Sequence, residues 1–147
     1  MRSRRVIVAM SGGVDSSVAA SLLHERGYEV IGVTLRSWPS EQCGMDGDKS
    51  CYSPEDARAV ASRLGFPFYI FNYESLFREK VVDYFVSEYS RGRTPNPCIP
   101  CNDHIKFGAL LQRADEMSCT HVATGHYAQL GWDESEASHF ILEGKDA

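Results

Sequence analysis

A chain of 147 residues, 43% hydrophobic and 24% charged, has the size and composition of one soluble globular domain able to bury a core. No apolar run approaches the roughly 18 residues of a membrane helix, so a membrane partner is excluded, and no low-complexity tract argues for disorder. A formal net charge of −5 gives no support to broad electrostatic attraction to nucleic acid, so any such contact is expected from a local patch or from a part of the protein outside these residues.

The start, MRSRRVIVAM, has the basic-then-apolar order of a signal peptide. Its apolar part is too short, however, and runs straight into SGGVDSS, so residues 5–10 are expected to form a buried strand. A cytosolic protein keeps its thiols reduced, and its five cysteines are then catalytic, metal-binding or core residues rather than a disulfide framework. Residues 17–27 have helical spacing at Val18, Leu22 and Leu23 and end at Gly27, and residues 29–35 read as a second buried strand. The polar stretch 36–54 is long for a connection, which points to function or mobility. A helix over 53–65 has Ser53 as N-cap, Pro54 at its first position and Gly65 as C-cap. A third strand follows at 66–73, then a helix near 74–90 with Leu76, Val81, Phe85 and Tyr89 along one face.

Residues 91–102 read as a loop carrying Cys98 and Cys101, stiffened by Pro95, Pro97 and Pro100. A helix is expected over 104–117 and a strand over 120–130. Helical crossovers between buried strands imply an α/β fold, a parallel sheet with helices on both faces. From Gly131 onward the chain is polar and reads as no finished element. Residues 139–144 resemble one edge strand of a region that continues past Ala147, so the expected division is a domain over 1–130 and the start of a further region over 131–147.

The run Ser11-Gly12-Gly13-Val14-Asp15-Ser16 sits between the first strand and the first helix. Glycines there leave backbone N–H groups uncovered, and the helix points its positive end at the same spot, which favours an anion. Hydroxyls of Ser11, Ser16 and Ser17 add donors, and Asp15 would cap the helix or hold magnesium. The Gly-Lys-Ser/Thr ending of a Walker A loop is absent, as is the G-x-G-x-x-G dinucleotide fingerprint. A ligand-free turn is the plainer alternative.

S-G-G-x-D-S after an apolar strand resembles the signature of the PP-loop ATP pyrophosphatases, in which the loop holds the pyrophosphate of ATP while an acceptor oxygen is adenylated. AMSGGVDSSVAA, GVTLRSW, DARAVASRLG, GRTPNPCIPCNDHIKFG and ATGHYAQL together resemble one branch of that superfamily, the tRNA-specific 2-thiouridylases (the MnmA/TrmU family), from about Val6 to Leu130. The resemblance implies an adenine-nucleotide hydrolase-like domain that takes ATP and Mg2+, adenylates the C2 oxygen of the wobble uridine of tRNA, and replaces that oxygen with sulfur from a persulfide carrier or sulfide. It implies ATP contacts at Ala9, Met10, Ser11, Gly12, Gly13, Val14, Asp15, Ser16, Leu35 and Gly125. It implies tRNA contacts at Asn96, Pro97, Cys98 and His126, with Cys101 as nucleophile. Leu35 stands where the family often has Met, and position 98 is Asp in many relatives. The family's partner cysteine lies beyond Ala147. Another PP-loop enzyme acting on a small molecule, or a nucleotide-binding fragment without catalysis, are the alternatives.

Four readings of Cys98 and Cys101 stand open. A disulfide does not suit a reducing compartment, and zinc needs a second ligand pair for which only Cys43 and Cys51 are near. Cys101 acts as a plain thiol with Cys98 as its accessory, or both bind a [4Fe–4S] cluster with a third ligand outside the chain, as the resemblance implies for thiolases with Cys-x-x-Cys here. Cys119 reads as a small hydrophobe. Arg91 and Arg93 form a basic spot for tRNA phosphates or a solvated helix end. Trp38 stacks on a base or anchors its loop to the core.

Overall fold

The computed structural model describes residues 4–38 and 54–144, so Ser53, Cys43 and Cys51 lie outside the described residues. Strand β1 (Arg5–Ala9) pairs in parallel with β2 (Glu29–Arg36) on one side and β4 (His121–Ala123) on the other, and β2 pairs with β3 (Phe68–Asn72). The sheet order is β3-β2-β1-β4. Alternation along a strand sends successive side chains to opposite faces. Val6, Val8 and Met10 pack with Ala20, Ala57, Ala61 and Phe66, whereas Ile7, Ile31 and Val33 pack with Leu110, Ala114 and Cys119. Helices therefore cover both faces, as the apolar runs imply.

Connectivity decides which helix covers which face. Helices α1 (Val14–Glu25) and α2 (Pro54–Leu64) carry the chain from β1 to β2 to β3 in one direction, and right-handed crossovers put both on one face. The chain then returns past β1 to reach β4, so the next helices lie on the other face. This reversal opens a crevice between the C-terminal ends of β1 and β4, the place where ligands bind in open α/β sheets.

Several expectations need correction. Helix α1 starts at Val14, not residue 17, and it buries Ala20 while Val18 and Leu22 stay about half exposed, at 48% and 44%. Strand β3 is the sheet edge, and Tyr69 and Ile70 are exposed. Helix α3 is continuous through Glu74–Phe77, a π-helical Arg78–Val82 and Asp83–Ser90. Only Val81 of its expected apolar face is buried, and Phe85 and Tyr89 stack on each other at the surface with ring centres 5.9 Å apart. The strand expected over 120–130 is two strands broken at Thr124–Tyr127: β4, and β5 (Ala128–Asp133), which pairs antiparallel with β6 (Ser138–Glu143). The polar tail thus forms half of a hairpin, with Phe140 covering Gly131 across the ladder.

The largest difference concerns the cysteines. They do not lie in a loop but in the first turns of α4, a helix running unbroken through Cys98–Pro100, Cys101–Ala109 and Leu110–Glu116. The Asn96 Oδ1 accepts the Cys98 N–H at 3.0 Å and Pro97 supplies a preset φ, so Asn-Pro is a helix start. The Cys101–Ala109 segment is π-helical, and the Leu110 N–H reaches back five residues to the Ile105 carbonyl. Such wide turns are rare and recur at functional sites. Gly108 is the residue that tolerates this winding, since a Cβ there would stand 2.8 Å from the Asp103 carbonyl oxygen.

In an ordinary exposed helix, Gly→Ala stabilises by about 1 kcal/mol. Here the sign is expected to reverse. Gly108→Ala should lower the thermal unfolding midpoint by several degrees, and a raised midpoint would contradict the wide-turn geometry.

Candidate functional site

The crevice at the strand reversal is a cavity of about 280 Å³. Its walls come from three places: the β1–α1 turn and the end of β2, the break after β4, and one side of α4. Sequence and topology meet in the turn. Met10 is anchored by its N–H to the Val33 carbonyl and by the Thr34 hydroxyl donating to its own carbonyl, each at 2.7 Å. Gly12 then takes φ +88°, a conformation other residues resist, and Gly13 stands as N-cap of α1.

The serines divide their work. The Ser16 hydroxyl, buried, donates to the Gly13 carbonyl and accepts the Ser11 N–H, locking the turn. The Ser17 hydroxyl donates back to the Gly13 carbonyl at 2.8 Å and faces away from the cavity wall, so it is no donor to a ligand. Ser11 stays exposed beside the positive end of α1.

Gly125, expected as an ATP contact, also holds two segments together. A Cβ there would lie 2.7 Å from the Ser16 nitrogen and 3.1 Å from the Asp15 carbonyl carbon, so the break after β4 packs backbone to backbone on the first turn of α1. Two residues on, the Tyr127 hydroxyl donates to Asp15 Oδ1 at 2.8 Å and ties the same two segments together. The Thr124 hydroxyl meets His126 Nδ1 at 2.8 Å and fixes the imidazole plane. Partial removal of that ring from water, with a lesser push from the Lys106 charge, lowers its basicity.

On the opposite wall the wide turns of α4 present Cys101, Ile105 and Lys106 together. Cys101 is half-buried. Burial pushes its thiol up, Lys106 pulls it down, and Cys98 pushes it up again, with burial the strongest. The helix N-terminus would favour a thiolate. Desolvation outweighs it.

Of the residues singled out from the sequence, Ala9, Met10, Ser11, Gly13, Asp15, Ser16, Leu35, Gly125, His126 and Cys101 share this cavity. Gly12 and Val14 shape the turn without lining the wall, and Val14 is 77% exposed. Asn96, Pro97 and Cys98 stand at the outer start of α4, with Cys98 exposed. Arg91 and Arg93 do not form a free basic spot, because both pair with Glu88, at 3.4 and 3.0 Å. Trp38 packs edge-on against Phe77 with ring centres 5.3 Å apart, the anchoring role. Lys106, Thr34 and Thr124 were missed. Each lies inside one of the quoted stretches, GVTLRSW, GRTPNPCIPCNDHIKFG and ATGHYAQL, without standing out there, and wide-turn winding hides Lys106 from ordinary helical spacing.

The donor set bears on metals. One carboxylate, Asp15, opens on the cavity, which suits a magnesium ion that keeps waters and shares phosphate oxygens. Among the described residues no three of His, Cys, Asp and Glu converge as a metal site, so Cys98 and Cys101 offer two thiols and not a complete cluster ligand set. None of the helices among the described residues is long and apolar enough to cross a membrane.

Comparison with known proteins gives the following. The chain is 52% identical, over 99% of its length, to the tRNA-specific 2-thiouridylase MnmA of Symbiobacterium thermophilum, and 55% identical over 90% to that of Pelotomaculum thermopropionicum. It spans only 38% and 37% of those proteins. Among solved structures it resembles a predicted subunit of tRNA methyltransferase from Methanocaldococcus jannaschii, with TM-score 0.56 and 26% identity, over 84% of this chain and 53% of that one. It shares the fold of the NMN synthetase from Francisella tularensis, with TM-score 0.50 and 21% identity, over 81% of this chain and 44% of that one. The family model described as the tRNA methyl transferase HUP domain matches residues 4–147, and with the turn, the strand order and the reversal crevice already in place, the chain belongs to that family.

Proposed function

We propose that this chain is the ATP-binding and base-activating part of a tRNA-uridine 2-thiolase. The observation that carries the reading is that Cys101 opens onto the same cavity as the Ser11–Ser16 turn. A thiol within reach of a phosphate cradle suits a reaction that first activates an oxygen with phosphate and then replaces it with sulfur. The names of the similar proteins, tRNA-specific 2-thiouridylases, support the same choice of substrate.

In this reading the turn amides, the Ser11 hydroxyl and the positive end of α1 receive the pyrophosphate of ATP, and Leu35 covers the adenine. Asp15, which opens on the cavity, would hold a magnesium ion that shares the phosphate charge. The C2 oxygen of an extruded wobble uridine then forms a bond to the α-phosphorus as pyrophosphate leaves with its electron pair. His126, neutral and fixed by Thr124, sits where the base enters, and Asn96, Pro97 and Cys98 form the outer lip that meets the tRNA. A persulfide carrier passes its outer sulfur to Cys101 by thiol exchange, the Cys101 persulfide forms a bond to C2 as AMP departs with the C2 oxygen, and a second thiol from outside this chain then attacks the Cys101 sulfur, leaving 2-thiouridine and a disulfide. Burial pushes the Cys101 thiol up against the opposing pull of Lys106. Cys101 as a plain thiol is favoured over a [4Fe–4S] cluster because Cys101 lines the cavity while Cys98 stands exposed outside it.

Nucleotide binding tests the reading first. The chain is expected to bind ATP saturably, and Gly125→Ala, which drives a methyl into the Ser16 amide, is expected to weaken that binding at least about tenfold. A chain that binds no ATP would sink the proposal. In a thiolation assay with tRNA, Cys101→Ser is expected to keep pyrophosphate release and lose 2-thiouridine, and retained 2-thiouridine would remove Cys101 from the chemistry.

A further inference from the structure

Lys106 is unassigned by any motif, yet it stands on the cavity wall. It is half-buried, which removes water that would otherwise satisfy its ammonium. None of the ion pairs among the described residues involves it. Its charge is felt on two sides, lowering both the Cys101 thiol and the His126 imidazole. The one carboxylate in the cavity, Asp15, is engaged by the Tyr127 hydroxyl on a different wall. A half-buried cation in none of the ion pairs among the described residues, lining one cavity with Ser11 and the first turn of α1, suits an anion.

Position identifies which anion. If the Ser11–Ser16 turn takes the terminal pyrophosphate, and Cys101 with His126 mark where the base reacts, a cation on the wall that carries Cys101 meets the group between the two. We propose, on the footing of the function above, that Lys106 contacts the α-phosphate of the nucleotide. When the base oxygen bonds to the α-phosphorus and the bond to the pyrophosphate oxygen breaks, the electron pair leaves with pyrophosphate and the N3 proton of the base goes to solvent. Negative charge gathers meanwhile on the non-bridging α-oxygens. The Lys106 ammonium neutralises that charge without giving up a proton, and it holds the same phosphate as AMP departs with the C2 oxygen. A lysine serves here as a point charge, and arginine would retain the charge with altered geometry.

Binding of AMP and of adenosine, which differ only by this phosphate, to the chain and to Lys106→Met and Lys106→Arg, tests the assignment. Lys106→Met is expected to weaken AMP about tenfold or more and leave adenosine and the unfolding midpoint unchanged, with Lys106→Arg recovering much of the loss. Equal AMP binding by wild type and Lys106→Met would overturn the assignment while leaving the nucleotide reading intact. A parallel loss of AMP and adenosine would also overturn it, since the effect would then be structural. A wild-type chain that binds neither would remove the proposed function itself.

Discussion

The site depends on one close approach, that of Gly125 to the first turn of α1. There is no room for a side chain between them, because a Cβ would stand 2.7 Å from the Ser16 nitrogen. The contact fixes the end of β4 against the β1–α1 turn, and β4 can be there only because it pairs in parallel with β1 from Val6 to Val8. Once the two ends are clamped, Thr124, His126 and Tyr127 have defined places on the rim. Tyr127 then ties Asp15 to the same clamp. A packed sheet interior supports the arrangement, since Val6, Ile7 and Val8 are at most 1% exposed and leave the strands no slack.

The opposite wall rests on how α4 is wound. Ile105 and Leu110, both essentially buried, seat the helix on the fold interior, and their separation of five residues matches the wide turns between them. In an ordinary α-helix Cys101 and Lys106 would diverge around the axis. With π-type winding they face the cavity together. The Asn96-Pro97 start and the open space over Asp103 at Gly108 permit this locally. The cost of poorer hydrogen-bond geometry is offset by burial of those two apolar side chains.

Much of this was legible in the sequence. Short β-branched runs gave away β1 and β2, and Gly27 and Gly65, both with positive φ, closed the helices as expected. The run from Ser11 to Ser16 pointed to the cavity wall through local chemistry alone, because the turn is held by its own hydrogen bonds. What escaped depended on packing, side-chain pairing and helix winding that residue spacing does not show. Val18 and Leu22 have the spacing of a buried face, but small Ala20 is what the close-packed sheet accepts. Arg91 and Arg93 read as a basic spot until the fold brings Glu88 between them. Three prolines suggested a loop at Cys98 and Cys101, although one of them, Pro97, follows an asparagine that starts a helix. Lys106 was hidden because helical periodicity assumes a turn tighter than the one present.

The central claim is that the phosphate turn and Cys101 serve one cavity. The most direct test is the rate at which a small alkylating reagent modifies Cys101 and Cys98, followed by peptide mass mapping with and without saturating ATP and magnesium. Bound nucleotide is expected to slow alkylation of Cys101 at least about tenfold and leave the exposed Cys98 unaffected. Unchanged Cys101 reactivity on a chain demonstrably saturated with ATP would contradict the account.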